Sequence, residues 1–208
     1  MTFQAKLALL LTSLIVLLVA GLFYEFDTAI QNYLKNTAIK NFHAIVETSE
    51  GAYFAFADKL KTRTLDWSSD GTIRATAENI VSLPEGEERA TAVENLAHYL
   101  REEKLQYDPS VSIIDILDKD GIVIVSSHLN RIGINEKEEE EEFRAHRFSE
   151  AIGSAFREVF LTNIVYEPDE GMDPMIHAVT RIFSATKDEG GNLSPLDAVM
   201  LLHFPNIE

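Results

Sequence analysis

Residues 111–134, VSIIDILDKDGIVIVSSHLNRIGI, constrain the fold more than any other stretch of the chain. Two apolar, β-branched runs, 111–117 and 122–125, flank Asp118-Lys119-Asp120-Gly121. Asp and Gly tolerate the positive φ angles of tight turns, so Asp-Gly between such runs predicts a hairpin. Neither run alternates cleanly, because Ile113, Ile114, Ile116 and Leu117 put apolar side chains on both faces. A strand pair of that kind is expected in the middle of a sheet, covered on each side. The rest of the chain then covers, extends and anchors the hairpin.

The anchor is at the start. Residues 7–24 read LALLLTSLIVLLVAGLFY, without a charge. At 1.5 Å per residue such a helix spans about 30 Å, the hydrocarbon thickness of a bilayer. The competing reading is a cleaved signal peptide. The run is longer than an ordinary signal core, and no small-x-small site precedes a polar mature start, which favours a retained span. Lys6 before it, with Glu25 and Asp27 after it, places residues 1–6 inside and the rest outside.

Residues 25–65 contain no proline and one glycine, Gly51, and are expected to form a helical stalk. Phe42, Val46, Ser49, Tyr53, Phe56 and Leu60 step by a 4-3 pattern, a heptad seam on one helix face. Such a stripe packs on its own domain, pairs in parallel with a second copy, or does each along a different stretch. The turn at 66–71, DWSSDG, offers Ser and Asp as N-caps, with Trp67 as a packing anchor. A short helix around Ile73, Ala77, Ile80 and Val81 follows, stopped by Pro84 and Gly86. A third helix is expected over 87–104, with Glu87 and Glu88 first and Arg101 and Lys104 last, as the helix dipole favours.

After the hairpin come a loop (126–135), a short helix (143–153) and strands expected at 158–166, 174–183 and 196–204. The order predicts an α+β domain on an antiparallel five-stranded sheet, with 66–208 as the globular part. A membrane anchor, a long leading helix, the hairpin DILDKDGIVIVSS, then LNRIGIN and a three-strand meander resemble a Cache domain. Cache domains are the PAS-like extracytoplasmic sensors of bacterial chemoreceptors and histidine kinases. The segment DWSSDGTIR at 66–74 resembles the helix-to-helix turn of such sensor kinases. The chain lacks the second span and the signalling segment of these receptors, so it is expected to be the N-terminal piece of one or a truncated product.

Composition narrows the chemistry. The formal charge of −16 argues against nucleic acid, whose phosphates need a basic footprint. With no cysteine there is no disulfide, thiolate metal site or Cys nucleophile. Phosphate-binding, dinucleotide, serine-hydrolase and zinc-protease motifs are absent, so neither enzyme chemistry nor a cofactor is expected. Asp118-x-Asp120-Gly121 resembles part of a calcium loop, but its first ligand position would be Ile116. The six histidines show no ligand spacing and read as surface or capping residues, and the glutamates at 138–142 as a solvated run. The Cache resemblance implies a pocket under the short helix and its loops, a region holding His128, Arg131, Arg144, Arg147, Tyr166, Asp169 and His177. A small anion held by Arg147, with Tyr166 and His177 completing the site, is the specific expectation, since a guanidinium fork suits a carboxylate. The plainer alternative pairs Arg144 and Arg147 with the glutamate run at i, i+4 spacing. Two functions remain open: a sensor that binds a solute and shifts its stalk, or a tethered adaptor that binds a protein partner and no small ligand.

Overall fold

A computed structural model describes residues 3–137, 142–162, 164 and 175–205, those at 4–9 and 142–146 through their backbone only. The first helix, α1, runs Phe3–Ser68. Among the described residues it is the one helix long and apolar enough to cross a membrane. The chain divides into two compact units, Met1–Ala55 and Phe56–Glu208, and α1 contributes to both. In the first unit its apolar side chains are exposed: Phe42 is 66% and Tyr53 60% accessible. In the second, the same seam enters the core, with Leu60 at 2% and Trp67 at 5%. The heptad seam is therefore divided: Phe56 and Leu60 pack on their own domain, while Phe42, Val46 and Tyr53 are exposed.

Helix α2 (Gly71–Ser82) begins where Asp70 caps it, accepting hydrogen bonds from the backbone N–H groups of Thr72 and Ile73 at 2.9 and 3.1 Å. The same carboxylate accepts from Lys104 Nζ at 2.8 Å and from Tyr99 Oη at 3.1 Å, tying the α1–α2 turn to the end of α3 (Glu87–Tyr99). Burial alone would raise the pKa of Asp70, but the bonds from Lys104 and the Ile73 N–H outweigh it and hold the carboxyl below its ordinary value. The third helix is shorter than its sequence suggests: after Tyr99 the winding loosens into a π turn, Leu100–Lys104, and then a 3-10 turn, Leu105–Tyr107. That change of winding lets Leu100 stay buried while Lys104 reaches back to Asp70.

The sheet is five-stranded and antiparallel: β1 (Ile113–Asp118), β2 (Val123–Ser126), β3 (Val159–Leu161), β4 (Met175–Lys187) and β5 (Leu193–Pro205), in the spatial order β2-β1-β5-β4-β3. The α+β class holds, and the hairpin closes as expected. Asp118 Oδ1 accepts from the Asp120 and Ile122 N–H groups at 2.9 Å each, and Gly121 takes φ 87°. The position of the hairpin differs from expectation: β2 lies at an edge and β5 holds the centre. Its strands are buried all the same because the chain doubles back along β2. Val123 N–H donates to Ile134 O, and Gly133 N–H to Val123 O, both at 2.9 Å. The third strand is only Val159–Leu161, where a longer one was expected; most of the remaining stretch to 166 lies outside the described residues. Strands β4 and β5 are longer than their apolar cores suggest, because their polar ends continue the pairing as far as Lys187 and Leu193.

Alternate residues of the strands build two different faces. Ile114, Ile116, Ala178, Ile182, Met200, Leu202 and Phe204 meet Leu60 and Trp67 of α1, Ile73 and Ile80 of α2, and Leu96 of α3. On the opposite face, Leu117, Val123, Val179, Val199 and Leu201 pack against Phe148 and Ala151 of α4 (Glu142–Ile152).

Candidate functional site

The α4-side face does not stay apolar along its strands. Strand alternation puts Asp115 of β1, His177 of β4 and His203 of β5 on it, all buried. His177 and His203 are direct cross-strand partners, and their rings meet edge to face with centroids 4.4 Å apart. Asp115 Oδ2 is shared: His203 Nε2 lies 3.1 Å away and Arg131 Nε donates at 2.9 Å. Arg131 Nη2 donates in turn to Glu136, itself buried. Arg131 reaches inward because the 3-10 turn Leu129–Arg131 and the return along β2 set it beside the strand pair. Burial would raise the Asp115 pKa, but the hydrogen bond and charge of His203, then the charge of Arg131, win and keep the carboxyl below its ordinary value.

The cluster unites two of the residues singled out from sequence, Arg131 and His177, through two that were not, Asp115 and His203. A signal for both was present. Asp115 interrupts SIIDIL, and His203 interrupts MLLHF, in strands otherwise buried on both faces. A polar group at such a position needs a partner, since burying it alone is costly. Reading all six histidines as surface or capping residues is corrected at these two positions: His177 and His203 point inward because their strand register leaves them no other face.

The other expected residues are placed differently. His128 is exposed, with Nδ1 3.3 Å from Ser127 Oγ. Arg147 Nη1 bonds Glu150 Oε2 at 2.8 Å, a pair within α4. The side chain of Arg144, and Tyr166 and Asp169 entirely, lie outside the described residues. Among the described residues no group of three His, Asp or Glu side chains is arranged to hold a metal ion. His203 Nδ1 is buried and has no hydrogen-bond partner among the described residues. The arrangement can donate from one guanidinium and two imidazoles and accept at two carboxylates, in a setting of low dielectric.

No family model matches the chain, and no curated protein matches it. Solved structures do. An extracellular ligand-binding receptor from Desulfohalobium retbaense DSM5692 matches at 13% identity and TM-score 0.39, covering 72% of this chain and 24% of that one. The E. coli DcuS sensor domain matches at 13% identity and TM-score 0.33, covering 67% of this chain and 92% of that one. The extracellular domain of the histidine kinase rpHK1S-Z16 matches at 12% identity and TM-score 0.32, covering 70% and 58%. The similarity of all three is too low to speak for the ligand or output of this chain, which spans about a quarter of the first.

Proposed function

We propose that the chain is a membrane-anchored sensor module, with residues 1–6 inside, 7–24 in the bilayer, 25–65 as stalk and 66–208 as an extracytoplasmic Cache-type domain. It takes up a small solute beside the Asp115–His203–His177–Arg131 cluster and passes the change to the stalk. The observation that carries this reading is the cluster itself. A buried ionic group stabilises a fold weakly or not at all relative to an apolar replacement, so its presence in a core asks for another reason. The buried His203 Nδ1 is an atom that a ligand would satisfy. A small anion remains the solute class favoured by the nearby guanidinium groups. At Arg147 an anion must displace Glu150, a partly exposed i, i+3 pair worth a few tenths of a kcal/mol. At Arg131 it would compete with two buried carboxylates.

The test is a thermal-shift screen of the full chain in nanodiscs with small carboxylates, amino acids and amines. A ligand at a hundred times its Kd adds about 2.7 kcal/mol. His203→Gln should remove that shift. If no solute stabilises the chain, or if the shift survives His203→Gln and Arg147→Ala alike, the adaptor reading takes its place. Reporter fusions after residue 60 should be active only when exported. The exposed part of the seam, Phe42, Val46, Ser49 and Tyr53, is proposed to pair in parallel with a second copy. Cysteines at 49 or 53 should crosslink in membranes. Position 56, packed against the globular core, should not.

A further inference from the structure

A concave site lies at the opposite edge of the sheet from β2. The last turns of α1 and the segment around β3 enclose an open cleft of about 370 Å³, lined by Lys61, Leu65, Arg157, Glu158, Val159 and Phe160. That volume falls in the range of small-ligand sites. Leu65 and Val159 supply apolar side chains to its lining, Phe160 borders it from a strand position whose side chain packs on the α4-side face, and among the described residues β3 has no strand on its outer side. Its charged walls are unevenly committed. Glu158 is engaged, its Oε2 accepting the Ala155 N–H at 3.0 Å. Neither Lys61 nor Arg157 has a salt bridge among the described residues, in a chain where 34 acidic residues face 18 basic ones. Two cations without a salt bridge therefore face one carboxylate, Glu158, in the lining of this cleft. Arg157 is also the one non-glycine residue with positive φ among those described, at 70°. Left-handed backbone is unfavourable for a side chain with a Cβ, and such strain concentrates where a ligand is held. The Arg157 guanidinium carbon lies 5.4 Å from the centroid of the neighbouring Phe156 ring.

We infer that this cleft binds a small carboxylate with a short hydrocarbon tail, its anionic head between Lys61 and Arg157 and its tail on Leu65 and Val159. Such a ligand would touch α1 and β3 together, so occupancy would act on the stalk helix without passing through the α4-side cluster.

The probe is hexanoate, titrated into the full chain in nanodiscs and followed by saturation-transfer NMR, with empty nanodiscs as the partition control. Hexanoate should bind saturably, with acetate at least about tenfold weaker because it lacks four methylenes worth up to about 0.8 kcal/mol each when buried, and hexylammonium at least about tenfold weaker because it cannot make the charge-assisted bonds of the carboxylate. Lys61→Gln and Arg157→Gln should each weaken hexanoate about tenfold while leaving the melting temperature in place. Lys61 is exposed on a helix surface, so its variant tests the site even if the Arg157 variant fails to fold. His203→Gln should leave hexanoate binding unchanged, which separates this site from the one proposed above. Equal binding of hexylammonium, or binding that survives Lys61→Gln, would overturn the inference. So would loss of hexanoate binding with His203→Gln but not with Arg157→Gln, because the carboxylate would then sit on the other face.

Discussion

The two faces of the sheet are made by the same strands in the same register, yet they differ in kind. Residues 114, 116, 200 and 202 are all apolar and meet three helices. One residue along, Asp115, Leu201 and His203 mix charge with aliphatic packing under a single helix. Since backbone and register are shared, the difference lies in side chains alone. One face can be read as what holds the domain together, and the other as what the domain holds in readiness.

That contrast can be broken by measurement. The largest effect is expected on the apolar face: Leu202→Ala removes a fully buried side chain and should cost about 2–5 kcal/mol in denaturant unfolding. Asp115→Asn keeps the shape but removes a charge that accepts from two donors, and should cost about 1.5–3 kcal/mol. A neutral or stabilising Asp115→Asn that still abolishes ligand response would sharpen the contrast, marking the ionic cluster as kept for function alone.

Acid provides a third probe. The folded-state pKa of Asp115 is depressed, so below the unfolded carboxylate value of about 4 the unfolded chain binds more protons than the folded one. The stabilisation from Asp115 is therefore complete above about pH 4 and is lost as pH falls through the folded pKa. Unfolding free energies measured from pH 6 downward should fall less steeply in Asp115→Asn than in the parent chain, and an unchanged slope would show that the carboxyl is not depressed. A smaller loss, about 1 kcal/mol, is expected for Asp70→Ala, which removes the α2 cap but touches neither sheet face. The smallest effect is expected from the Arg147–Glu150 pair, a partly exposed i, i+3 contact on one helix whose loss in Glu150→Ala should cost about 0.2–0.5 kcal/mol by thermal or chemical melting.

The fold was legible where local chemistry determines geometry. Asp118 to Gly121 can close only as a tight turn, Asp70 is a cap by side-chain reach, and the seam from Phe42 to Leu60 marks a helix face by spacing. What could not be read was pairing between distant segments. Nothing near Ile113 says that its other neighbour is His203, and so the edge position of the hairpin was missed. The candidate site suffered for the same reason. Arg131 and His177 were noticed as polar residues in a plausible region, but their connection runs through Asp115 and His203, which only the β1–β5–β4 register brings together. The π turn after Tyr99 was hidden too, because the contact it allows, from Lys104 to Asp70, spans 34 residues.

The central place of β5 has a kinetic consequence. The strand made last is the one that joins β1–β2 to β4–β3, so until it emerges the chain holds only two separate antiparallel pieces with no shared hydrogen bonds. Each nascent piece exposes the edge that β5 will occupy, and exposed edges recruit other chains. Sheet assembly in this protein is therefore a late, non-local event with a high entropic barrier, and slow folding is expected of it. The outcome is practical: the interval between the arrival of Lys187 and that of Pro205 is when the chain is most open to misassembly, and when a chaperone would matter most.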